Sequence, residues 1–240
     1  SIDVWAMDVA RFGDYASPQY GTIKSSENYE RRFIMTFPNE TLPKGRKQKT
    51  TALYDRFVNQ GAVMGDSFGL ENVLWFANNK EDAHEEPTIK RSRSHDYVSK
   101  EVINVRENVG LIEVANFSKH EFKGPDARKF LDHIMAGRLP KPGRISLSPM
   151  LSYRGKLCGD LTVACLDENE FMVFGSGAAQ EMHRRWFESH LDKFNLSYSN
   201  RSDEYHGLSI AGPNSRKVLE KIVRDDVSNE KFKFRDSRRM

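Results

Sequence analysis

The apolar and polar positions follow two regimes along the chain. Up to about residue 90 the pattern is broken. Asp8-Val9-Ala10-Arg11-Phe12 suggests a short helical turn, and the aromatic-rich stretch from Tyr29 to Phe37 suggests a helix running into a strand. Pro38, Pro43 and Gly45, set among Lys44, Arg46, Lys47 and Lys49, predict an exposed loop. Tyr54 to Gln60 predicts a helix stopped by Gly61, Ala62-Val63-Met64 a short strand, and Phe68 to Phe76 carries large apolar groups around a turn. The acidic run from Glu81 to Glu86 ends at Pro87 and gives way to Lys90-Arg91-Ser92-Arg93. This charge reversal lacks apolar periodicity and predicts a domain boundary near residue 90.

Beyond that point the pattern is regular. Tyr97, Val98, Val102, Val105 and Val109 recur at helical spacing, followed by a strand at Leu111 to Val114 and another at Glu121 to Lys123. Arg144 to Leu151 alternates as a strand. Leu157 to Leu166 and Glu170 to Phe174 read as a hairpin across Asp167-Glu168-Asn169. Ala178 to Leu191 predicts a helix with Met182, Trp186 and Leu191 facing inward. One octapeptide recurs: Gly124-Pro125-Asp126-Ala127-Arg128-Lys129-Phe130-Leu131 returns as Gly212-Pro213-Asn214-Ser215-Arg216-Lys217-Val218-Leu219. Each copy follows a strand and opens a helix, with proline where a helical N–H is unpaired anyway. Two related strand–helix units, or the same capping chemistry reached twice, account for it.

Composition narrows the class. The 240 residues suffice for one large domain or two modest ones and for a core that buries roughly 70% of the unfolded surface. Fifteen Phe, eight Tyr and three Trp are too many for a disordered chain. No apolar run approaches the ~20 residues of a membrane span, and Ser1-Ile2-Asp3-Val4-Trp5 does not read as a signal peptide. The net charge of +3 is carried by residues 217–240, with eight Lys/Arg against five Asp/Glu. That reads as a solvated chain end and predicts no nucleic-acid partner. Cys158 and Cys165 exclude a disulfide scaffold. Seven residues apart on one strand, they are expected on opposite faces.

The usual chemical fingerprints are missing from the sequence. Gly175-Ser176-Gly177-Ala178-Ala179-Gln180 has two glycines of a dinucleotide turn, which predicts that this chain holds no FAD by itself. His183 and His190 share a helix face without a third ligand and read as surface residues, so no metal site is predicted. Asp160 stands apart. It interrupts the apolar strand Leu157-Cys158-Gly159-Asp160-Leu161-Thr162-Val163, sharing a face with Cys158 and Thr162, while Gly159 beside it leaves room for a flat ligand. A carboxylate there is solvated, paired or functional; an edge-strand Asp facing water is the alternative.

These residues carry a resemblance. Glu101-x-x-x-Val105-Arg106-x-x-x-Gly110-Leu111, Phe122-x-Gly124-Pro125-Asp126-Ala127, Met150-Leu151-x-x-x-Gly155 and Gly159-Asp160-Leu161-Thr162-Val163 resemble the folate domain of the glycine-cleavage T-protein family. Ile2 to Gly13, Tyr54-Asp55-Arg56-x-x-x-x-Gly61-Ala62-Val63-x-Gly65 and His206 to Pro213 resemble dimethylglycine and sarcosine dehydrogenases, which fuse an FAD-dependent amine oxidase to such a domain. The resemblance implies an α+β fold: a small mixed bridging module over 1–90, then an incomplete T-protein-like folate domain over 91–240. It also implies an internal segment of a longer protein, with FAD held upstream. Asp160 matches the family's carboxylate near the folate N10, and Leu147, Thr162 and Gly175 match its pterin-pocket lining. The implied partners are a methylated amine, tetrahydrofolate and the rest of the same polypeptide. The implied location is the cytoplasm of a bacterium or the mitochondrial matrix of a eukaryote. A flavin-independent aminomethyltransferase and a non-catalytic folate-fold binding protein are the rival readings.

Overall fold

A computed structural model of the chain describes residues 7–38 and 40–240; the opening of the Ile2–Gly13 motif therefore lies outside the described residues. The chain forms two units, each drawn from separated stretches. One takes 12–114 with 208–215. The other takes residues 7–11, 115–207 and 216–240. Residues on both sides of position 90 share the first of these.

In that unit α1 (Pro18–Glu30) starts at a Ser17 cap, whose Oγ accepts from the Tyr20 N–H at 3.1 Å, with Pro18 in the first turn. The expected strand before Phe37 is absent; residues 31–38 are turns and coil. The apolar positions of α1 do not gather on one face, so periodicity misses the helix and only the Ser17-Pro18 cap marks it. α2 (Tyr54–Asn59) ends before Gly61, whose φ of +90° suits glycine. β1 (Ala62–Ser67) and β2 (Leu70–Phe76) form an antiparallel hairpin turning at Phe68-Gly69, both at positive φ as a tight hairpin turn requires. α3 (Ser94–Glu107) packs on this hairpin, with the Tyr97 ring 4.9 Å from that of Trp75. The basic loop is less free than its composition suggests. Arg46 pairs with the fully buried Glu71, and the Lys44 N–H donates to the buried Glu27 at 2.7 Å. β3 (Gly110–Glu113) pairs antiparallel with β9 (Leu208–Ala211).

The other unit is built on a five-stranded antiparallel sheet in the order β5-β6-β7-β4-β8: β4 Ser118–Lys123, β5 Arg144–Leu151, β6 Leu157–Asp167, β7 Glu170–Gly175 and β8 Ser197–Asn200. One face of the sheet is covered by α4 (Ala127–Ile134) and α5 (Gln180–Glu188). α4 buries Ala127, Phe130, Leu131 and Ile134, the spacing of a single helix face. These side chains close on Phe122, Leu161, Val163, Phe171 and Val173. At ~25 cal/mol per Å², and 150–250 Å² for each aromatic, such a cluster dominates the stability of the unit. The buried residues of α5 are His183 and Phe187, not the expected Met182 and Trp186, which are half-buried. The helix begins two residues later than expected, after a 3-10 turn at Gly177–Ala179.

The repeated octapeptides have matching surroundings. β4 leads through Gly124 (φ +138°) into α4, and β9 leads through Gly212 (φ +112°) into α6 (Ser215–Leu219). The Asp126 N–H donates to the Asn195 carbonyl at 3.2 Å, and the Asn214 N–H to the Asn108 carbonyl at 2.9 Å. Each asparagine precedes a short strand, β8 or β3, that pairs with the strand leading into its glycine. A Cβ on either glycine would collide with the facing backbone.

Candidate functional site

The sheet face away from α4 and α5 carries the candidate chemistry. Strand alternation and register place Leu147 (β5), Thr162 (β6), Phe174 (β7) and Lys119 (β4) in one row, each directly opposite the next. One row along, Asp160 stands opposite Pro149, where the β6–β7 pairing has ended and β6 has a ladder partner on one side only. Asp160 is exposed, Leu147 is 61% exposed, and Thr162 and Phe174 are half-buried. Leu151 and Leu157, opposite one another at the hairpin tip, extend the apolar surface.

The rest of this face is occupied. Lys119 is 3% exposed, and its ammonium donates to the carbonyls of Ala115 (2.9 Å), Phe117 (2.7 Å) and Ser202 (3.3 Å); burial pushes its pKa down. The buried Glu121 pairs with Lys123 at 2.8 Å and Arg201 at 3.4 Å. Arg239 of the C-terminal stretch reaches Glu170 at 2.6 Å. The Asp160 corner is thus an open surface with one carboxylate, one hydroxyl and apolar walls. That set can seat a flat, partly polar ring and take a hydrogen bond or proton from its edge.

The structure brings Asp160, Leu147 and Thr162 together and sets Gly175 apart. Thr162 pairs with Phe174, so the next residue of β7 faces the opposite, helix-covered side. There Gly175 is buried, and a Cβ on it would lie 3.0 Å from His183 Nδ1 and 2.6 Å from a Leu161 methyl. Gly159 also opens that other face, since its Cβ would lie 2.8 Å from His183 Nε2. The space left by both glycines is filled by the imidazole of His183, which is 2% exposed and no surface residue. Cys158 and Cys165 were expected on opposite faces, yet both pack on the helix-covered core. Cys158 is the extra residue of a bulge, where Met150 pairs with Gly159 and Leu151 with Leu157. Phe174 is the residue missed from the sequence; alternation against Thr162 was the available signal.

Among the described residues no cluster of His, Cys, Asp and Glu has the makings of a metal site, and no helix is long and apolar enough to cross a membrane.

The chain is 32% identical to mitochondrial dimethylglycine dehydrogenase of Mus musculus over 97% of its length, but spans 27% of that protein. It is 25% identical to human mitochondrial sarcosine dehydrogenase, covering 97% of this chain and 30% of the relative. It is 28% identical to the aminomethyltransferase of Staphylococcus epidermidis, covering 79% and 48%. The fold is that of the glycine cleavage system aminomethyltransferase T of Bartonella henselae, with a TM-score of 0.60 at 23% identity over 72% of this chain and 43% of that one. The first 51 residues match the FAD dependent oxidoreductase central domain. With residues 53–240 matched by the GCVT N-terminal domain model, the chain belongs to the GCVT family.

Proposed function

We propose that this chain is the one-carbon-transferring part of an FAD- and tetrahydrofolate-dependent N-demethylating dehydrogenase acting on dimethylglycine, sarcosine or a related methylated amine. One observation carries the reading: Asp160 stands on an open, half-apolar sheet corner beside Thr162 and Leu147, in a chain whose two parts match an FAD-oxidoreductase central domain and a GCVT domain in that order. The match of residues 1–51 to the FAD-oxidoreductase central domain favours this reading over a flavin-independent aminomethyltransferase.

Flavin, held by polypeptide outside this chain, supplies the hydride acceptor that turns an N-methyl group into an electrophilic iminium carbon. The reduced folate is the acceptor of that carbon. Leu147 and Phe174 offer apolar surface for its ring, and Thr162 a hydrogen bond to the ring edge. As the folate amine bonds to the carbon it must lose a proton, and Asp160 is placed to take it; the carbon's bond to the substrate nitrogen then breaks as a second folate nitrogen closes on it, and the demethylated amine leaves carrying a proton. The carboxylate also stabilises the positive charge on the folate amine before the proton leaves. Without that step the iminium meets water and yields formaldehyde.

The test is Asp160→Asn in the full-length protein, measuring both half-reactions. Methylenetetrahydrofolate formation is expected to fall by ~10²–10⁴-fold, as for loss of a general base, with flavin reduction by the amine near normal and formaldehyde accumulating. Unchanged transfer, or loss of flavin reduction alongside it, overturns the assignment.

A further inference from the structure

We infer that His183, on the far side of the sheet, is the positioning residue of the Asp160 site; this rests on the reading of Asp160 given above. The argument starts from the alternation of β6. Leu157 and Asp160 are three residues apart, so in a regular strand they would face opposite sides. Both are exposed, which requires one residue more than alternation allows. The bulge at Cys158 supplies it and turns the Cys158 side chain toward the core. Without it, either Asp160 or Leu157 would turn away from the open face.

His183 holds this bulge from behind. Its Nε2–H donates to the Cys158 carbonyl at 3.3 Å, so Nε2 carries the proton and Nδ1 is bare. The ring lies against Gly159, where the added Cβ would stand 2.8 Å from Nε2. It also lies against Gly175 on the neighbouring strand, 3.0 Å from the corresponding position. One glycine on each of two adjacent strands, two residues out of register with one another, thus forms the seat of one imidazole. A bulge carbonyl facing a covered core needs a donor, and His183 provides it. Burial pushes its pKa down, so the imidazole is neutral at neutral pH, and the Cys158 carbonyl, which can only accept, fixes the proton on Nε2. His183 therefore acts two residues from Asp160, through backbone, and touches nothing on the open face.

The experiment uses the full-length, flavin-containing protein with tetrahydrofolate and a methylated amine. Four variants are compared: His183→Leu, His183→Gln, Gly159→Ala and Gly159→Ala/His183→Ala. Readouts are kcat and KM for methylene transfer, the rate of flavin reduction, and the melting temperature. His183→Leu is expected to lower the transfer kcat by about 10–100-fold, the scale of a small misplacement, with KM for tetrahydrofolate and flavin reduction little changed. His183→Gln, which keeps an N–H donor of similar reach, is expected to retain most of the rate. Gly159→Ala should lose rate by displacing the ring, and the double variant should regain part of it because the collision is gone. Unchanged transfer in both His183→Leu and Gly159→Ala, while Asp160→Asn is impaired, overturns the positioning role and leaves the Asp160 reading standing. Loss of flavin reduction in step with transfer, or no rescue by glutamine, reduces His183 to a packing residue and equally overturns it. Should His183→Leu fail to fold, the comparison of Gly159→Ala with the double variant decides. Unchanged transfer in Asp160→Asn removes the site itself.

Discussion

Mild acid should loosen the five-stranded unit through its buried imidazoles, His120 above all. It lies on the helix-covered face of β4, fully buried, with its ring 5.0 Å from Phe187, 6.0 Å from Tyr198 and 6.4 Å from His183. Nδ1 shares a 2.9 Å hydrogen bond with the Tyr198 hydroxyl, and Nε2 has no partner among the described residues. Burial, and next the neighbouring His183, push its pKa down to about 3. In the unfolded chain the imidazole titrates near ~6.5. The unfolded state therefore binds the proton more readily, so stability is complete above about pH 6.5 and declines as pH falls toward about 3. From these two values His120 alone forfeits about 2 kcal/mol by about pH 5 and about 5 kcal/mol below about pH 3. Urea unfolding at about pH 7.5 and about pH 5 measures the first figure. His120→Phe keeps a ring in the cluster, and its stability difference between the two pH values should be smaller than that of the parent by about 2 kcal/mol. An identical pH dependence in parent and variant would mean that the ring is solvated or already charged, and would refute the reasoning.

Two further substitutions probe the framework. Arg46→Met strands the buried Glu71 carboxylate without its guanidinium, and urea unfolding should show a loss of about 3–5 kcal/mol. Gly124→Ala forces a side chain into φ +138° and against the Leu196 backbone at 2.7 Å, for a loss of at least about 1–3 kcal/mol in the same assay. Gly212→Ala should lose a similar amount, since its turn repeats that geometry, and a tolerated Gly212→Ala would break the equivalence of the two repeats.

Local signals carried much of the fold. β5 begins and ends where its alternation does, and the β6–β7 hairpin turns on the residues that polar punctuation marks. The Gly-Pro octapeptide announces both strand-to-helix turns because glycine allows the positive φ each turn needs and the proline after it has its own φ fixed by its ring. Elements whose cues are not periodic were harder to read. α1 has only its cap, and Arg46 looks like loop charge until Glu71, 25 residues away, is found buried against it.

For the candidate site, the chain by itself determined that Asp160 interrupts an apolar strand and shares a face with Thr162, because alternation is a property of neighbouring residues. Which residues stand beside them is a property of register, and register is settled by pairing between strands far apart in sequence. Only the tertiary structure therefore set Leu147 and Phe174 on either side of Thr162 and turned Gly175 to the opposite face. It alone decided why Gly159 and Gly175 are glycines. Seen in sequence, a missing side chain next to a carboxylate suggests room for a ligand. In the folded sheet the room belongs to His183, brought over both strands by a helix that packs from the other side.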